Sequence, residues 1–86
     1  MKLGEKIRLQ RLVKKYNQEY MAFALGISQA AYSKIERNET ELTINRLYEI
    51  AEILEISPLP LLPPPKYSDV SATSFLHHNI LILHII

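Results

Sequence analysis

Between residues 25 and 29 the chain reads Leu-Gly-Ile-Ser-Gln, and no other stretch restricts its folding as much. Gly26 follows a run with apolar side chains at helical spacing. Glycine alone enters cheaply the left-handed backbone region that closes a helix. Ser28, two residues later, has a hydroxyl suited to accept from the backbone N–H three positions on, which starts a new helix. One short helix must end and another begin across a three-residue turn.

The flanking patterns agree with this. Asn17 is a suitable N-cap for a helix over 18–25, whose Met21, Ala22 and Leu25 share a face. Ser28 caps a third helix, 29–37, buried through Tyr32 and Ile35, and Asn38 is the next best residue to glycine for a left-handed exit. Upstream, 3–15 reads as a first helix with Leu3, Ile7 and Leu12 inward. Downstream, Thr43 caps a fourth helix with Leu47, Ile50, Ala51 and Leu54 at i, i+3, i+4 and i+7, the cleanest apolar stripe in the chain. Ser57-Pro58 begins a short fifth helix with proline at its first position, and Pro63-Pro64-Pro65 ends it in an extended strut. The expected architecture is therefore an all-α, compact five-helix domain over 1–65. The segment 66–86 follows as a polar linker, KYSDVSATS, and an apolar tail, FLHHNILILHII.

Size and charge narrow the function. Chains near 86 residues bury only about 60% of their unfolded surface. With no cysteine to form a disulfide or a thiolate metal site, stability must come from a helical core, self-association or both. The basic start, MKLGEKIRLQRLVKKY, lacks the apolar core of a secretory signal, and no stretch approaches the ~20 apolar residues of a membrane helix. A cytoplasmic protein without membrane association is expected, concentrated at the nucleoid. The net charge of +1 hides an asymmetry. Residues 1–37 carry eight lysines and arginines against three glutamates, a balance of +5, and residues 38–86 carry two against six acids, a balance of −4. A basic half on a nearly neutral chain suggests a surface that faces a polyanion.

The third helix opens with Gln29-Ala30-Ala31, side chains too short or too neutral to form a salt-bridged solvent face. Small residues let a backbone approach the DNA major groove closely, and their methyls can meet thymine methyls. A glutamine amide donates and accepts in one plane, as adenine requires, for about 1–3 kcal/mol of discrimination. Lys34 would reach a guanine or a phosphate. Gln18, at the start of the preceding helix, would hold a phosphate with its amide and the helix-end N–H groups.

On Arg11, Gln18, Ala22, Gly26, Ile27-Ser28-Gln29, Tyr32, Ile35-Glu36-Arg37 and Leu47…Ile50-Ala51…Leu54, residues 3–62 resemble the helix-turn-helix family of phage repressor and Cro type, also called XRE-like. The resemblance implies a repressor-like fold and a structural salt bridge between Arg11 and Glu36, linking the first helix to the third. It implies DNA contacts at Gln18 for phosphate and at Gln29, Ala30 and Lys34 for the groove, and Ser28, Ala31, Ser33 and Arg37 complete the expected DNA-binding set. The chain departs from the family where Lys15, Asn38 and Glu55 replace glycines that often follow the first, third and fourth helices. Lys15 and Glu55 are expected to cost stability. Ala30 offers no hydrogen bond, which shifts weight to DNA shape and backbone contacts, and Glu39 and Glu41 would repel a phosphate.

No nucleophile elbow, phosphate loop or paired apolar carboxylates appear, so no catalytic residue is assigned and the chain is not expected to be an enzyme. His77, His78 and His84 lack a carboxylate or cysteine at ligand spacing, so neither a metal nor another cofactor is expected. The tail, largely apolar, would fold back on its own domain, pair with a second copy or lack a native role. Pairing is favoured because the proline strut projects it outward. The expected protein is a sequence-specific transcriptional regulator, a repressor that binds a palindromic operator on double-stranded DNA as a homodimer. The alternative is an antitoxin-type module that neutralises a toxin partner and regulates its own operon.

Overall fold

The computed structural model describes residues 1–64, which form four α-helices and one 3-10 turn: α1 (Leu3–Val13), α2 (Gln18–Leu25), α3 (Gln29–Glu36), α4 (Ile44–Leu54) and the turn Leu59–Leu61. The apolar tail, its expected pairing role and the three histidines lie outside the described residues.

Local chemistry starts three of the four helices. The Asn17 side chain accepts from Tyr20 N–H at 2.7 Å, Ser28 Oγ from Ala31 N–H at 3.0 Å, and Thr43 Oγ1 from Arg46 N–H at 3.1 Å. Each satisfies one of the donors a helix N-terminus leaves free. Lys2, at the start of α1, supplies no such cap. Asn38 does so from a distance, its Oδ1 accepting from Gly4 N–H at 2.8 Å.

All four helices end in one way. The residues with φ of 62°, 70°, 61° and 56° are Lys15, Gly26, Asn38 and Glu55. After each, the next N–H reaches back to the carbonyl five residues earlier: Tyr16 to Arg11, Ile27 to Ala22, Glu39 to Lys34 and Ile56 to Ala51. This closure satisfies carbonyls that would otherwise be orphaned, and it favours glycine at the left-handed position. The chain uses glycine once in four.

The core gathers Ile7, Met21, Tyr32, Ile50 and Leu54, all fully buried, with Ala22, Leu25, Ile35, Leu47, Ala51 and Leu61 around them. α3 packs on both α1 and α2. Gly4 marks the closest approach, because a Cβ there would lie 2.4 Å from the Glu36 carbonyl oxygen and 2.5 Å from that of Ile35.

Three expectations need correction. Leu12 is not inward; it is 46% exposed, while Gly4, Ile7 and Arg11 are buried. At 100° per residue, position 12 lies 140° from Ile7 and position 11 only 40°. The fifth α-helix is absent, leaving four, because Pro58 and Pro60 lack amide donors and Pro63 and Pro64 follow at once. A single 3-10 turn remains, with Leu61 N–H on the Pro58 carbonyl at 2.8 Å, and it still buries Leu61. α1 also stops at Val13 rather than at residue 15, since Lys15 is already left-handed.

Candidate nucleic-acid interface

α3 is an eight-residue helix with two unlike faces. Tyr32, Ile35 and Glu36 point into the molecule. Gln29, Ala30, Lys34 and Arg37 are exposed, with half-buried Ser33 among them. Spacings of one, four, five and eight residues from Gln29 place these five on one helical face. Ser28 is exposed at the head of the helix, its hydroxyl engaged in the cap. Ala31 lies on the flank, where with Ile27, Ile35, Leu42 and Arg46 it lines a cleft of about 290 Å³ between α3 and the loop before α4.

The buried end of α3 is anchored by one carboxylate. Glu36 accepts from Arg11 Nε at 2.7 Å and Arg11 Nη2 at 3.0 Å, a two-pronged contact, and from Gln18 Nε2 at 3.1 Å and the Tyr32 hydroxyl. Arg11 Nη1 also donates to the Tyr16 carbonyl at 2.9 Å. Donors from α1, α2 and α3 thus converge on one group, and among the described residues no buried side-chain polar atom lacks a partner. A buried charge is tolerated only when paired and hydrogen-bonded in this way.

The electrostatics follow from the geometry. Burial pushes the Glu36 carboxyl up, but hydrogen bonds from Arg11, Tyr32 and Gln18 outweigh it and hold the group below the usual carboxylate range. Burial pushes the Tyr32 phenol strongly upward, and the Glu36 hydrogen bond adds to it, so Tyr32 stays a donor. Arg11 is held more firmly charged by the Glu36 hydrogen bond.

The structure treats the other expected contact residues differently. The amide nitrogen of Gln18 is turned to Glu36, which sets the orientation of the whole side chain at the first position of α2. Arg37 donates through Nε to Glu39 Oε2 at 2.5 Å and through Nη1 to Ser33 Oγ. Lys34 makes no ion pair or side-chain hydrogen bond among the described residues. Sequence reasoning missed the Tyr32, Gln18 and Asn38 contacts. The Tyr32–Glu36 spacing of four residues on one helix was a usable sign; the other two join residues far apart in the chain.

A family model described as helix-turn-helix matches residues 7–61. The HTH-type transcriptional regulator DicA of Escherichia coli is 38% identical over 56 residues, 65% of this chain and 42% of that protein. Repressor protein C2 of Salmonella phage P22 is 34% identical over 77 residues, 90% of this chain and 34% of the repressor. The chain therefore spans less than half the length of these two relatives. Among solved structures, the N-terminal DNA binding domain of SinR from Bacillus subtilis superposes with a TM-score of 0.63 at 27% identity, covering 76% of this chain and 96% of that one.

Proposed function

The chain belongs to the helix-turn-helix family of phage repressor and XRE-like regulators, and on that premise we propose that it is a sequence-specific DNA-binding repressor that occupies a palindromic operator as a homodimer. The exposed face of α3 carries this reading: Gln29, Ala30, Ser33, Lys34 and Arg37 on one side of a helix whose opposite side is locked to α1 and α2. α3 enters the major groove with its N-terminal residues at the base edges. Gln29 reads an adenine, Ala30 and Ala31 allow close approach to thymine methyls, and Lys34 reaches a guanine or a phosphate. Ser28 and the N-terminus of α2 at Gln18 lie against the DNA backbone and set the register. Two copies related by a two-fold axis place their recognition helices about 34 Å apart, one turn of the duplex. Residues 1–65 form the DNA-binding domain, and residues 66–86 a linker and dimerisation segment. The protein works in the cytoplasm.

A second reading, an antitoxin-type module that binds a toxin, is favoured by Phe23 and Val13, large apolar side chains 84% and 72% exposed. Selection from a random duplex pool separates the two. A repressor enriches a two-fold symmetric site, binds it less tightly as salt rises, and loses its base preference in Gln29→Ala. Absence of any enriched site, with a stoichiometric protein partner recovered from the native host, would favour the second reading.

A further inference from the structure

At the end of α3 the backbone turns back on itself. Asn38, at φ 61°, brings the Glu39 N–H onto the Lys34 carbonyl at 2.9 Å. The turn sets the Glu39 carboxylate beside Arg37, 2.5 Å from Nε, while Arg37 Nη1 donates to Ser33 Oγ. Both members of the ion pair remain about half exposed. Arg37 belongs to the outward face of α3, so the Glu39 carboxylate occupies a guanidinium otherwise available for a DNA phosphate. A carboxylate and a phosphate offer a guanidinium the same paired oxygen acceptors.

We propose that Glu39 is an internal phosphate mimic, which occupies Arg37 in the free protein and must give way before Arg37 can contact a DNA backbone. This deepens the DNA-binding reading and rests on it. Glu39 tunes affinity without reading sequence: it lowers binding to every duplex alike, and specificity is left to the Gln29 end of the helix. Three features make the contact more than an incidental surface pair. Its backbone is fixed by the hydrogen bond to the Lys34 carbonyl, the guanidinium is held at a second point by Ser33, and the charge of Lys34 adds attraction for the carboxylate.

Four proteins test this: the wild type, Arg37→Gln, Glu39→Gln and the double variant, each titrated with one duplex of arbitrary sequence over a range of salt. Glu39→Gln is expected to bind about fivefold tighter, with the log–log salt dependence steeper by about one, the equivalent of one additional phosphate contact. Arg37→Gln is expected to weaken wild-type binding, and to weaken it about fivefold more in the Glu39→Gln background, so that the gain from Glu39→Gln disappears once the guanidinium is removed. An Arg37→Gln effect of equal size in both backgrounds overturns the proposal. Loss of binding by all four proteins overturns the DNA reading instead. In that case the Glu39 carboxyl titration, followed by NMR on the same samples, still decides. Arg37 holds that carboxyl below the usual range, and Arg37→Gln should return it upward; an unmoved midpoint shows that the clasp does not form.

Discussion

The side-chain oxygen of Asn38 lies 2.8 Å from the backbone nitrogen of Gly4, thirty-four residues away, so the residue that ends α3 also caps α1. Glycine, the usual occupant of such a left-handed position, could not do both. Asn38→Gly should lose only the cap and cost about 1 kcal/mol, whereas Asn38→Ala loses the cap and adds left-handed strain, for about 2 kcal/mol together. Urea unfolding of the two variants measures the difference. No loss in Asn38→Gly would mean that the Asn38 amide contributes nothing to α1, and equal losses in the two variants that the left-handed position adds no strain.

Gly4 lets α1 approach the last turn of α3 where no side chain fits. On an isolated helix Gly4→Ala would gain about 1 kcal/mol. Here the added methyl meets two backbone carbonyls that cannot swing aside, and a net loss of about 1–3 kcal/mol is expected. A thermal melt that rises in Gly4→Ala would show that the two helices do not touch there.

Lys15 and Glu55 hold left-handed positions with no side-chain hydrogen bond to match that of Asn38. The conformation costs a non-glycine residue about 1–2 kcal/mol, against which glycine loses about 0.5–1 kcal/mol of extra backbone entropy. Lys15→Gly and Glu55→Gly should therefore each stabilise the fold by about 0.5–1 kcal/mol. Glu55→Gly also gives up a 4.0 Å exposed contact with Lys14, and such pairs contribute little. Unfolding midpoints that fall in both variants would refute this account.

Stability should depend on pH through Glu36. Its carboxyl titrates below the usual range in the folded protein, so its contribution is complete above the unfolded value and is lost as the pH falls through that value toward the folded one. Glu36→Gln leaves Arg11 buried without its counter-charge and should cost about 3 kcal/mol at pH 7. At pH 3 the penalty should be smaller, because the wild type is then losing the same interaction. Urea titrations at both pH values compare them; a penalty independent of pH would mean that Glu36 is not ionised in the pair.

What was legible in the sequence was local. Asn17, Ser28 and Thr43 act within three residues of themselves, and Gly26 closes the helix it follows, so the limits of α2 and α3 and the start of α4 could be read directly. The exposed row on α3 follows from the same periodicity that buries Tyr32 and Ile35. Leu12 misled because apolar character outranks direction in a sequence, while a 3.6-residue helix points Arg11 inward. Gly4 and the cap from Asn38 could not be seen at all, since each depends on where another helix lies. A leading proline suits an α-helix and a 3-10 turn alike, and the decisive fact is how many donors the prolines remove.

One carboxylate that collects donors from three helices also limits what can be borrowed from this protein. α2 and α3 look like a detachable cassette, yet the last turn of α3 is completed by an arginine outside it, and α1 is completed in return by Asn38 just past its end. Grafted alone onto another framework, the pair would carry a buried acid with no guanidinium and a spare amide with no helix to finish. Any transplant must carry at least the whole stretch from Leu3 to Glu39, together with apolar cover for the face that α4 buries.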